Sequence, residues 1–355
     1  MESESETPKR KKDHIRIALT SNVVPDRFRN QFDQVTLIHE ALPSVSIEEV
    51  DTSTYVFKKK IQAPIIVGAM TGGAPGTEII NGNIADAVEQ LGLGMGVGSQ
   101  KSALLDSSLE YTYKVIRRRA PNALVLANLG ASNVGKVKVA ELRRAIEMVE
   151  ADAIEIHLNM LQELLQPEGE PSFKGLEGEL DRICDEVGVP VLVKETGSGI
   201  SKETALRLNG KKIAGYDVGG AGGTSFALIE GKRRSDRVAE AFSDWGIPTV
   251  ASIIEVRSVT DKLIIASGGL RNGVDVAKSI ALGANLASFA RPLLAPASRS
   301  PQQVIDFLEQ VELQLKMAMV LTNSRDLQSL KHARYVLFGD MAHWTQQRGI
   351  AFRNP

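Results

Sequence analysis

The sequence predicts an α/β protein of the TIM (β/α)8 barrel class, with an N-terminal extension and C-terminal helices. Three observations predict it. Eight short apolar runs recur between Pro64 and Ala290, each separated from the next by a stretch with helical spacing. Each run ends in glycines or functional polar residues rather than generic loop polarity. The 355 residues suit one barrel of roughly 250 residues plus extensions. A doubly wound open sheet is the alternative.

Residues 1–60 form the extension. Residues 1–12 are acidic and then basic, with no apolar residue after Met1, the composition of a disordered tail. From Asp13 to Lys60 short apolar pieces, Val35–Ile38 and Val45–Val50, read as chain packed on the main domain. The barrel occupies 61–300. Strand one is Pro64–Met70, followed by a helix over Ile79–Leu91 with Ile80, Ile84, Ala87, Val88 and Leu91 at helical spacing. Strand two is Gly94–Ser99 with a helix at Leu109–Arg119, and strand three is Leu124–Asn128 with a helix at Val139–Glu150. Strand four is Ala153–Leu158 with a helix at Glu177–Glu186, and strand five is Pro190–Lys194 with a helix at Lys202–Leu208. Strand six is Ile213–Val218 with a helix at Val238–Trp245, strand seven Leu263–Ser267 with a helix at Val274–Leu282, and strand eight Leu286–Ala290. Pro248–Ile254 could be a ninth strand; a turn into a helix over Ile253–Arg257 keeps the count at eight. In 301–355, Gln302–Leu321 and Ser324–Arg348 read as amphipathic helices packed on the barrel.

Bulk properties exclude several classes. The 42 basic and 43 acidic residues leave a formal net charge of -1, so no field for nucleic acid is indicated. Cys184 is the only cysteine, which excludes an internal disulfide framework and a Cys-rich metal site. No apolar run approaches the ~20 residues of a membrane span, and the N-terminus lacks a signal-peptide core. The expectation is a cytoplasmic enzyme without a membrane partner.

The chemistry gathers at the strand ends. The run Ala153, Ile154, Ile156 and Leu158 delivers His157, Asn159, Gln162 and Glu163 just past its carboxyl end, where parallel α/β proteins keep their reactive groups. Lys194 closes a buried strand; a lysine there forms a Schiff base, holds a ligand's negative charge, or sits in an internal ion pair. Gly-rich loops follow strand six (Gly219–Thr224), strand seven (Ser267–Gly273) and, with Ala290-Arg-Pro292, strand eight. Such loops let backbone N–H groups approach an anion, and barrels commonly seat a phosphate after strands seven and eight. Other residues lean bland: Phe242 and Trp245 as helix-face core, His332 and His343 as surface or interface. Arg117–Arg119 and Lys232–Arg234 read as solvated faces or oligomer contacts.

Together these residues resemble one family. Met70-Thr-Gly-Gly73, Gly98-Ser-Gln100, Ala127-Asn-Leu-Gly130, His157-Leu-Asn159 with Gln162-Glu163, and Gln166-Pro-Glu-Gly169 are similar to type 2 isopentenyl-diphosphate isomerases. So are Val193-Lys-Glu195, Gly219-Gly-Ala-Gly-Gly-Thr224, Ser267-Gly-Gly-Leu-Arg271 and Ala290-Arg-Pro-Leu293. The likeness runs from about Arg10 into the C-terminal helices. The block from His157 to Gly169 is specific; the last two loops are shared with other flavin-mononucleotide barrels.

The resemblance implies a flavin-dependent barrel that interconverts isopentenyl and dimethylallyl diphosphate with reduced FMN and Mg2+, and NADPH as reductant. It implies that Ala69, Met70, Thr71, Gly72, Ser99, Asn128, Lys194 and Thr224 line the flavin. Gly268, Gly269, Arg271, Ala290 and Arg291 would hold its phosphate through backbone N–H groups. Arg10, Lys11 and His14 would close on the substrate diphosphate, making the tail a basic segment that orders on its ligand. Ser99, Lys101, His157 and Asn159 would face the same diphosphate, Gln162 the isoprenyl end, and Glu163 the Mg2+. Lys101 stands where the family carries arginine, keeping the charge without the bidentate geometry. Gln162, His157 and Lys194 are the candidate catalytic residues. The partner is a small-molecule diphosphate, and a homo-oligomer, tetramer or octamer, is expected.

Moving a double bond between adjacent carbons needs a proton to enter at one and leave from the other. No carboxylate pair or His in the sequence is aimed at a hydrocarbon tail, which fits a flavin doing proton chemistry with no net redox. Two competitors remain: an FMN-dependent 2-hydroxy-acid oxidoreductase and a non-catalytic flavin-binding barrel. The first needs a His base after strand six, and Asp217–Thr224 contains none. The second leaves the cluster from His157 to Glu163 without a purpose.

Overall fold

The computed structural model describes residues 6–131 and 139–350. Residues 1–5 of the expected tail and the last five of the expected C-terminal segment lie outside them. Among the described residues, eight parallel strands close into a barrel in sequence order, strand eight pairing with strand one through Ala287 and Ile65. The strands are Ile65–Val67, Gly94–Gly96, Leu124–Gly130, Ala153–Leu158, Val191–Glu195, Gly215–Asp217, Leu263–Ser267 and Leu286–Phe289. Several are shorter at the carboxyl end than the sequence suggests, because Gly68–Thr71 and Val97–Ser99 leave the ladder to shape the mouth. Pro248–Ile254 is not a strand. A helix begins at Thr249 and runs to Arg257, earlier than expected.

Strand alternation builds two cores. Ile154, Ile156 and Val193 point outward into the layer between sheet and helices. Ile66, Leu124, Leu126, Ala153, Leu192, Ile265 and Leu286 fill the interior, where the hairpin Thr54–Val56/Lys59–Ile61 inserts Val56 and Ile61. That hairpin stoppers the amino-terminal end of the barrel, so access is from the other end.

Outside the barrel four expectations are corrected. Residues 6–12 are not a disordered tail: Glu6–Thr20 is a helix. It buries Ile17 with Val23 and Ile229, docking on the helix Phe226–Arg234. Ser324–Arg348 is not a continuous helix: it contains Leu327–Leu330, a strand Tyr335–Leu337 and a helix Gly339–Gln347. The strand forms because Val35–Leu37 offers an antiparallel partner, with Val35 opposite Leu337. Trp245 is 63% exposed rather than core, since the helix expected to carry it ends at Ala241. Arg117 and Arg233 are not solvated. Arg117 donates to the carbonyls of Ala120, Ala123 and Glu150, and Arg233 pairs with Glu230 at 2.8 Å and Glu168 at 3.0 Å.

Candidate active site

The mouth holds a cavity of 630 Å³, within the roughly 300–1,000 Å³ usual for small-molecule sites. Its lower wall is set by strand register. Asn128 lies opposite Glu155, His157 opposite Lys194, and Lys194 opposite Asp217. Lys194 Nζ donates to Asp217 Oδ2 at 2.7 Å. Asp217 also accepts from Gly219 N at 3.2 Å and from the Ser267 hydroxyl. Burial opposes the Lys194 charge, but the Asp217 carboxylate beside it outweighs that, so its pKa stands above the ordinary lysine value. The lysine is therefore both an internal ion-pair partner and part of the cavity lining.

His157 Nδ1 lies 2.6 Å from Asn128 Oδ1, and Asn128 Nδ2 donates to Glu155 Oε2 at 3.3 Å. Burial, with the charges of Lys194 and Lys11, pushes the His157 pKa down to about 3, so the imidazole is neutral. A few residues on, Asn159 Nδ2 donates to Glu163 Oε1 at 2.7 Å and Glu170 N to Glu163 Oε2 at 2.7 Å. Gln162 lies on the helix Met160–Leu165 and reaches Gln166 Oε1 at 3.5 Å. Glu195 gathers the backbone N–H groups of Gly197 and Gly199, while burial pushes its pKa up to about 7.

The N-terminal helix roofs one side, bringing Arg10, Lys11 and His14 to the cavity. Lys11 Nζ donates to Ser99 O at 3.0 Å, Ser102 Oγ at 2.9 Å, Tyr113 OH at 3.1 Å and the Gly72 carbonyl. His14 Nε2 sits 2.8 Å from Glu230 Oε1. Ala69, Met70 and Thr71 enter after strand one, Ser99 and Lys101 after strand two. Thr224, Gly268, Gly269, Arg271, Ala290 and Arg291 line the opposite side. Gly72 does not line the cavity. It stands behind the wall with φ 141°, where a Cβ would meet the Tyr113 ring at 2.2 Å.

The loops after strands six and seven pack back to back, which requires Gly268 and Gly269: their φ values are 102° and 83°, and Cβ atoms would meet Gly220 O at 2.1 Å and Gly222 O at 2.5 Å. Arg271 belongs to the scaffold more than to the lining. Its N–H donates to Asp275 Oδ2 at 3.0 Å, and its guanidinium pairs with Asp33 at 2.6 Å and Asp275 at 2.9 Å.

Polar atoms without partners mark where ligands would dock. Among the described residues, Thr71 Oγ1 and Asn159 Oδ1 are buried at the mouth with no hydrogen-bond partner, an arrangement native interiors avoid. Thr71, the glycine loops and Lys194 fit a flavin mononucleotide. Glu163, beside the unpaired Asn159 oxygen, fits a Mg2+ ion. Among the described residues no cluster of three or more His, Cys, Asp or Glu could cage a metal. A single carboxylate still suffices where substrate phosphates complete the shell.

Sequence reasoning missed Glu155 and Asp217. Strand alternation could have found Glu155, two positions before His157 and hence on its face. Ser102 and Tyr113, which receive Lys11, carried no such signal.

Fold and site together define a closed, parallel eight-stranded α/β barrel with its cavity at the carboxyl ends of the strands. The FMN-dependent dehydrogenase family profile matches residues 163–336. Among solved structures, a mandelate oxidase variant with benzaldehyde superposes with TM-score 0.67 at 18% identity, covering 94% of this chain and 98% of the other. A flavocytochrome b2 with sulfite bound superposes at 0.68 and 17% identity, covering 90% and 81%. These likenesses speak to the fold. Sequence relatives go further: the isopentenyl-diphosphate delta-isomerase of Archaeoglobus fulgidus is 44% identical over 348 residues, 97% of this chain and 99% of the relative. Those of Methanosarcina barkeri and Metallosphaera sedula are 42% identical (98% and 96% covered) and 45% identical (96% and 95% covered). The chain belongs to the isopentenyl-diphosphate delta-isomerase family.

Proposed function

We propose that the chain isomerises isopentenyl diphosphate to dimethylallyl diphosphate, using reduced FMN with NADPH as reductant, and Mg2+ on the diphosphate. Bound in the mouth, the reduced flavin supplies a ring nitrogen able to give and take a proton. Lys194 stabilises negative charge on the ring's edge, its own charge maintained by Asp217. Thr71 offers its unpaired hydroxyl to the ring. The backbone of Gly268, Gly269, Ala290 and Arg291 receives the flavin phosphate, with Arg271 bracing the loop.

Glu163 holds Mg2+ against the substrate diphosphate. Lys101, Arg10 and His14 supply positive charge or donors to the same group, and Lys11 fastens the segment that carries them. His157, neutral before substrate arrives, gains a proton as the diphosphate charge enters, while Asn159 aligns Glu163. Gln162 faces the isoprenyl end. With the N-terminal helix over the mouth, water is kept from the developing positive charge on the hydrocarbon. A cytoplasmic tetramer or octamer is the proposed working form.

The observation carrying this reading is the coexistence in one cavity of flavin-type glycine loops and a basic rim that also presents Glu163. The oxidase reading lacks its histidine base after strand six. The test is product analysis from isopentenyl diphosphate with photoreduced FMN and no nicotinamide, for the native chain and Glu163→Gln. Catalytic turnover, lost in the variant and restored in part by raised Mg2+, is expected. Stoichiometric consumption of reductant per product would refute it.

A further inference from the structure

We propose that Glu155 is a positioning residue, held as a neutral carboxylic acid, through which the Lys194–Asp217 ion pair fixes the tautomer of His157. Asn128, Lys194 and Asp217 gather around Glu155 in the barrel interior, with His157 one pleat nearer the mouth. Glu155 is 3% exposed, Asn128 3%, Asp217 1% and Lys194 9%. Asn128 and Lys194 lie on the strands either side of Glu155, Asp217 on the strand beyond Lys194 and within reach of Glu155, and His157 two residues further along the strand of Glu155 itself.

The order of donors follows from which groups can only accept. Asp217 takes N–H and O–H donors from Lys194, Gly219 and Ser267, the environment of an ionised carboxylate. Glu155 lies within hydrogen-bonding reach of Asp217. Two carboxyls facing one another in a water-poor site share a proton rather than both ionise. That proton belongs to Glu155, because Asp217 has the ammonium at 2.7 Å and Glu155 has only an amide at 3.3 Å. Burial pushes Glu155 up to about 8, with Lys194 opposing and Asp217 adding.

With its O–H committed to Asp217, Glu155 presents Oε2 as an acceptor. That selects the amino side of the Asn128 amide and turns Asn128 Oδ1 toward His157. At 2.6 Å that oxygen demands a hydrogen on Nδ1, leaving Nε2 of His157 as the site that can take a proton. The proposal deepens the flavin reading and rests on it only for one consequence. Lys194 and Asp217 cancel and Glu155 is neutral, so the floor tolerates an anionic ring that a second ionised carboxyl would repel.

The experiment uses the full-length chain, Glu155→Gln and Glu155→Leu. Infrared difference spectra between wild type and Glu155→Gln should show the C=O stretch of a protonated carboxylic acid, fading as pH rises through about 8. Imidazole 15N NMR should show His157 as the Nδ1–H tautomer in wild type and in Glu155→Gln, whose amide donates to Asp217 and accepts from Asn128. Glu155→Leu should mix the tautomers and lower kcat/KM on the order of ten- to a hundredfold, with Glu155→Gln within about threefold. Absence of the acid band, or loss of the tautomer in Glu155→Gln, overturns the proposal. If the leucine variant does not fold, those two results still decide. FMN titration of the same samples reports separately on the flavin reading, whose failure would leave the band and the tautomer in place.

Discussion

Replacing Asp217 by asparagine separates an ion pair from the carboxyl behind it. Lys194 Nζ and Asp217 Oδ2 are 2.7 Å apart, with side chains 11% and 2% exposed. Removing one partner of such a pair ordinarily costs about 3–5 kcal/mol, because an uncompensated charge stays buried. Here a replacement counter-ion is adjacent. Glu155 titrates near 8, so ionising it at neutral pH costs only about 1.4 kcal/mol. Loss of the Asp217 charge lowers that cost further. The substituted amide could still accept from Gly219 and Ser267, so Asp217→Asn should lose about 1–2 kcal/mol rather than the full penalty. Glu155→Gln alone keeps both of its contacts and should lose under about 1 kcal/mol. The double variant strands Lys194 and should lose about 3–5 kcal/mol, a coupling of roughly 1–3 kcal/mol beyond additivity. Urea unfolding of the four proteins at neutral pH, with unchanged m-values, measures this. Additivity within about 0.5 kcal/mol would refute the idea that Glu155 can take over as counter-ion.

Three further outcomes follow from other contacts in the structure. Glu155 and Glu195 bind protons more tightly folded (about 8 and about 7) than their ordinary 4.5, so stability should fall as pH rises from about 6.5 to 8, by up to about 1.4 kcal/mol per unit per proton. Below 6.5 the depressed His157, near 3, opposes them, since its stabilisation is lost as pH falls. Unfolding midpoints should become flat above about 7 in Glu155→Gln; a wild-type curve that rises through this window contradicts the assignment. Lys11→Met leaves the carbonyls of Gly72 and Ser99 without their ammonium donor, and amides of Ile15–Thr20 should exchange on the order of tenfold faster or more. Glu255→Gln weakens a fully buried carboxylate that accepts from Trp344 Nε1 at 2.8 Å, Arg348 Nε at 2.9 Å and Lys202 N at 2.7 Å. It should cost about 1–3 kcal/mol and shift Trp344 fluorescence to the red.

The barrel was legible because each strand is buried on both faces and spells a short apolar run, a signal that needs no partner to be read. Elements that depend on distant partners were not. Residues 6–12 have a disordered composition, yet the helix they join is held by Ile17, by His14 on Glu230 and by Lys11 on groups from two other loops. Tyr335–Leu337 is a strand only because Val35–Leu37 lies beside it. The site residues at the strand ends could be found from glycines and polar clusters. Asp217 could not be distinguished from an ordinary strand-end residue, and Glu155 was obscured by the outward-facing Ile154 and Ile156 on either side of it.

The interior of the barrel offers its own control on whether the polar layer serves folding. One step toward the amino end, Leu126, Ala153, Leu192 and Ile265 fill the same cross-section with apolar side chains. Hydrophobic replacement of buried ion pairs is often neutral or stabilising, so stability alone would extend that packing upward. Instead the next inward positions are Asn128, Glu155, Lys194 and Ser267, with Asp217 across from Lys194. The switch occurs within one pleat, at the end of the barrel whose cavity holds the unpaired Thr71 and Asn159. Charge placed there, at a cost the layer below avoids, is charge kept for whatever the mouth binds.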